Sequence, residues 1–130
     1  MLKHDVHLLL HCDLFSHTNI CYRALSLKGN ELGPEGVASI ADAMNVNTTL
    51  TSINLADTGM GNDPISRDAM RVCLVRHPTL TELDLNLNAI GAEGGQMLLE
   101  VLAVNSNIVK CGVFERLGQV QRGLLLSIEM

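Results

Sequence analysis

Aromatic side chains are nearly missing: the 130 residues contain no Trp, one Tyr and two Phe. A core without large rings must be assembled from Leu, Ile, Val, Met and Ala, which suits many small, similar packing layers. Basic charge is also scarce. Nine Lys and Arg stand against fourteen Asp and Glu, a formal net charge of -5, and the nine are scattered along the chain. Neither a nucleic-acid groove nor an anionic membrane surface is expected from that balance, since both call for clustered cations. Long hydrophobic runs are missing as well: the longest, 7–12 and 124–127, fall far short of the roughly 20 residues that span a bilayer. No membrane insertion is therefore expected. Lys3, His4 and Asp5 interrupt the stretch that a signal peptide would keep apolar, so export is not expected and an intracellular, cytoplasmic place is.

Cysteine pairing motifs are lacking too. Cys12, Cys21, Cys73 and Cys111 lie far apart with no CxxC spacing, which reads as four reduced, buried, small hydrophobes rather than disulfides or a zinc site. His4, His7 and His11 would share one face of a helix, but no Cys or carboxylate completes a ligand set, so no metal is expected. The strings GxxxxGK[ST], GxGxxG, GxSxG and HExxH are all absent. Gly91 to Gly95 reads as a turn and helix start rather than a phosphate cradle. The carboxylates Asp42, Asp57, Asp63, Asp68, Glu82 and Asp84 are dispersed as solvated groups. No catalytic residue and no cofactor is expected.

What is present is an internal repeat. Residues 22–32 read YRALSLKGNEL and residues 80–90 read LTELDLNLNAI; both fit LxxLxLxxNxL. Residues 50–60, LTSINLADTGM, keep the frame with Thr58 in the Asn position, and a decayed fourth copy begins at Ile108 with Arg116 in that position. The leading residues Tyr22, Leu50, Leu80 and Ile108 are 28, 30 and 28 apart, at or just above the roughly 20 to 29 residues of leucine-rich repeats. Matching punctuation follows each frame. LGPEG at 32–36 corresponds to IGAEG at 90–94, NTTL at 47–50 corresponds to NSNI at 105–108, and Asn19 stands in the same place before Tyr22. This combination of frame, glycine turn, apolar helix and Asn return resembles the ribonuclease-inhibitor-like leucine-rich repeats.

The residues themselves explain such a unit. In LxxLxL, apolar and polar residues alternate with the period of a half-buried strand, so Leu25 and Leu27 point in and Ser26 points out. Asn30, Thr58 and Asn88 fall where the chain turns, and a buried amide there is placed to bond the backbone of its own and the next repeat. The period then becomes helical: Val37, Ile40, Ala41 and Met44; Met70, Cys73 and Leu74; Leu98, Val101 and Leu102. Pro34 and Pro64 suit a first helical turn, with Asp63 as an N-cap. Helices pack wider than strands, so the expected fold is an α/β solenoid, a right-handed horseshoe arc with short parallel strands inside and helices outside.

One domain is expected over 1–130: a partial first repeat at 1–19, repeats at 20–47, 48–77 and 78–105, and a degenerate repeat with a C-terminal helix at 106–130. Val6, Leu9, Leu10 and Leu14 mark the first helix. Leu117, Val120, Leu124, Leu125 and Ile128 mark the last, which either caps the stack or meets another chain or further repeats.

The resemblance implies a protein-binding module, and the repeat geometry points its recognition to the concave strand face. Alternatives in the same family are a structural subunit of a cytoskeletal, ciliary or other large assembly, and a GTPase-activating-type regulator. The concave positions are Ala24, Ser26 and Lys28; Ser52, Asn54 and Asp57; Glu82, Asp84, Asn86 and Leu87; Lys110, Gly112 and Phe114. Acidic in its second and third repeats and carrying Leu87 and Phe114, that face suits a partner with a basic, partly apolar surface. Phe114 has a second reading, in which it packs under the C-terminal helix.

Overall fold

In the computed structural model residues 23–114 are described. They form β1 (Ala24–Ser26), α1 (Gly33–Val46), β2 (Ser52–Asn54), α2 (Pro64–Arg76), β3 (Glu82–Asp84), α3 (Gly91–Val104) and β4 (Lys110–Gly112). The four strands make one parallel sheet in chain order, β1-β2-β3-β4. Alternating strands and helices on a parallel sheet give the expected α/β solenoid. The expected terminal helices around Leu9 and Leu124, the histidines His4, His7 and His11, Cys12, Cys21 and Arg116 lie outside the described residues.

Register converts the sequence frame into columns. Leu25, Ile53, Leu83 and Cys111 are paired across the sheet. Two residues later Leu27, Leu55, Leu85 and Val113 form a second column, all buried. Leu50, Leu80 and Ile108 enter the core just before each strand. The helices close it with Val37, Ile40, Ala41 and Met44, then Met70, Cys73 and Leu74, then Met97, Leu98 and Val101. Burial pushes the thiols of Cys73 and Cys111 up to about 12, with Asp42 and Asp84 adding to the effect. Both are therefore neutral at physiological pH and pack as small hydrophobes.

Three-residue strands are short, and backbone bonds extend the ladder beyond them. Leu27, Leu55 and Leu85 N–H donate to the carbonyls of Asn54, Asp84 and Gly112 at 2.8, 2.8 and 2.6 Å. Gly29, Asp57 and Leu87 N–H then donate to Ala56, Asn86 and Phe114 at 3.0, 2.9 and 2.8 Å. Ahead of the strands, the Thr51 hydroxyl donates to Arg23 O and the Thr81 hydroxyl to Thr51 O.

At the turn, Asn88 is 3% exposed. Its Nδ2 donates to Leu85 O (3.1 Å) in its own repeat and to Leu55 O (2.8 Å) in the preceding one. Its Oδ1 accepts from Thr58 N, Thr58 Oγ1 and Met60 N. The amide thus reaches back to the repeat before it, not forward to the next. The reason is the shift between neighbouring turns, which sets the carbonyl of Leu55 and the N–H groups of Thr58 and Met60 around the later side chain. Asn30 makes the local half of this pattern, donating to Leu27 O at 3.0 Å. In the middle repeat Thr58 supplies the local bond from its hydroxyl, to Leu55 O at 2.8 Å.

Helix entry differs between repeats. α1 and α3 begin at glycines with φ of 69° and 72°, Gly33 and Gly91, and neither has a side-chain cap. In α2 the two extra residues of the middle turn bring in Asp63, whose Oδ1 accepts from Ile65 N at 2.9 Å ahead of Pro64. Within α3, Gly94 packs so closely that a Cβ would stand 2.6 Å from Ile90 Cβ. Alanine normally improves a helix interior by about 1 kcal/mol over glycine. Here overpacking against a β-branched neighbour costs about 1–3 kcal/mol. Gly94→Ala is therefore expected to lower the thermal midpoint, as followed by circular dichroism.

Each helix returns to the next strand through a buried side chain that caps the turn. Asn47 Oδ1 accepts from Thr49 N and Leu50 N at 3.0 and 2.8 Å. Asn105 Oδ1 accepts from Asn107 N, and its Nδ2 donates to Leu74 O and His77 O. Between them the position belongs to His77, 2% exposed. Its Nδ1 accepts from Thr79 N and Leu80 N at 3.3 and 3.1 Å. The proton of the neutral ring therefore sits on Nε2, which is buried without a hydrogen-bond partner.

Desolvation by burial lowers the His77 pKa below its ordinary value of 6.5. The unfolded chain thus binds a proton in a range where the folded chain does not. Stability from this group is complete above the unfolded value near 6.5 and is lost as pH falls from there toward the folded value. His77→Asn should flatten that acid limb in urea unfolding. It should also raise stability near neutral pH by about 1 kcal/mol, because an amide meets the same two N–H groups and its Nδ2 can donate to carbonyls of the preceding repeat as that of Asn105 does. An unchanged acid limb would show that His77 is not its source.

Candidate partner-binding face

The outer face of the sheet is ordered in rows by strand register. Ala24, Ser52, Glu82 and Lys110 make one row, and Ser26, Asn54, Asp84 and Gly112 the next. Lys28, Ala56, Asn86 and Phe114 follow, and then Gly29, Asp57 and Leu87 in the turns. All of the expected surface positions therefore come to one side of the sheet or to the turns that end it. Ser26, Lys28, Asp57, Glu82, Lys110 and Phe114 are exposed, whereas Ser52, Asn54, Asp84, Asn86 and Leu87 are partly buried. Ala56, in the same row as Lys28, is buried.

Several of these side chains have structural duties that polar alternation did not disclose. Asn54 Oδ1 accepts from Ala56 N and Asp84 Oδ1 from Asn86 N, both at 2.9 Å. These Asx turns bend the chain out of β2 and β3. Asn86 Oδ1 accepts from Phe114 N, fastening the third repeat to the fourth. Space for that amide comes from Gly112, where a Cβ would lie 3.0 Å from Asn86 Nδ2.

The remaining electrostatics are mixed. Glu82 is paired in register with Lys110, at the separation of about 4.8 Å that divides adjacent strands. Asp57 stands exposed in the middle turn, and Lys28 occupies the first repeat.

A second polar cluster, not anticipated from the sequence, lies where the loops enter α2 and α3. Asn62 Nδ2 donates to Glu93 Oε1 at 2.7 Å, and Arg67 Nη1 donates to Asn62 Oδ1 at 2.9 Å. The Asn62 bond foremost, with help from Arg67, lowers the Glu93 pKa. Asn62 belongs to the two-residue expansion of the middle turn, and that irregularity was its only signal in the sequence. Among the described residues no group of three His, Cys, Asp or Glu side chains is placed to hold a metal ion. Among them, too, no helix is long and apolar enough to cross a membrane.

The family model for the leucine-rich repeat matches three segments, residues 18–41, 46–63 and 76–99, together just over half of the sequence. The chain belongs to the leucine-rich repeat family. Solved structures with this leucine-rich repeat fold include actin-binding site 2 (ABS2) of leiomodin-1, with a TM-score of 0.75 at 20% identity. That alignment covers 98% of this chain and 69% of the other. The C-terminal domain of tropomodulin from Caenorhabditis elegans aligns with a TM-score of 0.58 at 9% identity, over 98% of this chain and 91% of its own. No curated protein matches the sequence.

Proposed function

We propose that this leucine-rich repeat chain is a non-catalytic, intracellular protein-binding module that meets its partner across the outer face of the strands. The observation that carries this reading is the register itself. It sets Ser26, Ser52, Asn54, Glu82, Asp84 and Lys110 in adjoining rows on one side of the sheet. The other side carries the aliphatic columns. An extended, in-register polar face is suited to recognising a protein surface, while a small substrate would require an enclosing pocket.

The fold shared with actin-binding site 2 of leiomodin-1 makes monomeric actin the first partner to try. The repeat period of 28 to 30 residues and the full helix in each unit also support the ribonuclease-inhibitor-like kind of array.

Titration calorimetry of the full chain with monomeric actin tests the partner. Charge removal tests the face, and Glu82→Gln with Asp57→Asn, which keeps at 57 a residue that tolerates the left-handed turn, is preferred to any change at Asp84, whose carboxylate holds a turn. The double variant is expected to weaken binding about tenfold with an unchanged melting curve. Full affinity in the double variant would move the contact away from the strands.

A structural role in a larger assembly is the second reading, favoured by exposed apolar residues on the helix side: Val46, Ile65, Val72 and Val104. Under that reading Ile65→Asp and Val72→Asp, with Leu125→Asp in the C-terminal segment, weaken association more than the strand-face changes do.

A further inference from the structure

The position before the turn Asn or Thr is left-handed in all three repeats, with φ of 81° at Gly29, 54° at Asp57 and 62° at Leu87. Glycine adopts this conformation freely and Asp tolerates it, but for a bulky aliphatic residue it is an outlier. Ala89, at 52°, is the other apolar case and is small. Leu87 is nevertheless only partly buried, so the core does not account for the choice of side chain.

Its neighbour is Phe114, 50% exposed. Leu87 N donates to Phe114 O, and Phe114 N donates to Asn86 Oδ1. Two bonds of opposite direction thus tie the Asn86–Leu87 turn to Phe114, and Gly112 leaves the strand beside them without a side chain. Among the described residues, the carboxylates on this part of the face are Asp57, one repeat before Leu87, and Asp84, three residues before it. Lys28 is two repeats away, and Lys110 sits at the opposite end of β4.

We propose that Leu87 and Phe114 form an apolar anchor at the turn end of the strand face. Its occupant is an extended protein segment that inserts one apolar side chain there and sets Lys or Arg beside Asp57 and Asp84. The proposal rests on the strand-face reading above and adds the chemistry of the partner. Unfavourable backbone conformations held at a surface are found where binding requires the side chain, and anchors of this kind concentrate the effect of an interface in a few residues.

An array of random-sequence peptides, probed with the labelled full chain, tests it without presupposing a partner. The wild type is expected to retain peptides with an apolar residue next to Lys or Arg. Leu87→Gly should reduce that signal about tenfold or more, and Phe114→Ser should do the same. Glycine accepts the left-handed turn, so the melting temperature of Leu87→Gly should equal or exceed that of the wild type. Leu87→Asn, tolerated in the same conformation, serves if the glycine variant loses its fold. Retention of acidic peptides, retention of none, or undiminished retention by both Leu87 variants overturns the proposal. Failure to bind actin would count against the partner suggested above and leave the array result standing.

Discussion

Asn88→Ala is expected to be among the most damaging single polar substitutions in the described repeats, lowering the free energy of unfolding by about 3–5 kcal/mol. The side chain is buried and satisfies groups in two repeats at once: the carbonyls of Leu55 and Leu85 and the N–H groups of Thr58 and Met60. Alanine leaves those groups in a space that excludes most water, and each stranded buried group costs about 1–3 kcal/mol. A domain of this size has about 5–15 kcal/mol in total, so the variant should melt far earlier or remain unfolded at 37 °C. Asn30→Ala removes one partly buried bond to Leu27 O and should cost about 1 kcal/mol. The comparison by urea denaturation is decisive, because equal losses at the two sites would show that bridging between repeats contributes little.

Leu55→Ala is expected to cost about 2–5 kcal/mol, the range for truncating a buried leucine. Leu55 is fully buried in the middle of its column, with Leu27 before it and Leu85 after it. Because layers of a solenoid contact only their neighbours, the vacancy is walled on both sides and cannot close by shifting a free end. Val113 occupies the same column just after β4, the last described strand, and Val113→Ala should cost less, because a smaller group is removed. Denaturant midpoints for the two variants give the order, and a smaller loss at Leu55 would contradict a continuous aliphatic column.

Much of this architecture was legible because a change of period is a strong signal. LxxLxL at 22–27, 50–55 and 80–85 specifies strands whose inner residues are Leu25, Ile53 and Leu83, and the spacing of Val37, Ile40, Ala41 and Met44 specifies a helix with one buried face. Pro64 preceded by Asp63 marked the start of α2 correctly.

The strand face was legible only as a set of positions. Asn54, Asp84 and Asn86 alternate with leucines as solvated polar residues do, and nothing in the alternation reveals that their side-chain oxygens are committed to backbone N–H groups. That depends on the turn geometry after the strand. His77 escaped notice because the residue type changed while its place was kept: it stands three residues before Leu80, as Asn47 stands before Leu50. The left-handed backbone at Leu87 was hidden for a related reason, since leucine in an apolar repeat suggests burial and says nothing of φ.

The side-chain bonds that reach backbone carbonyls across repeats share a direction, although Asn62 donates forward to the Glu93 carboxylate. The donors Thr79, Thr81, Asn88, Asn105 and Asn107 all reach carbonyl groups of the repeat before their own, at Leu50, Thr51, Leu55, Leu74 and Pro78. A ribosome delivers the chain in that same order. Each newly emerged repeat therefore carries the groups that complete the one already outside, and a nascent solenoid is finished from behind as it lengthens. Stalled synthesis would leave a single incomplete layer at the growing end, with every earlier layer already closed.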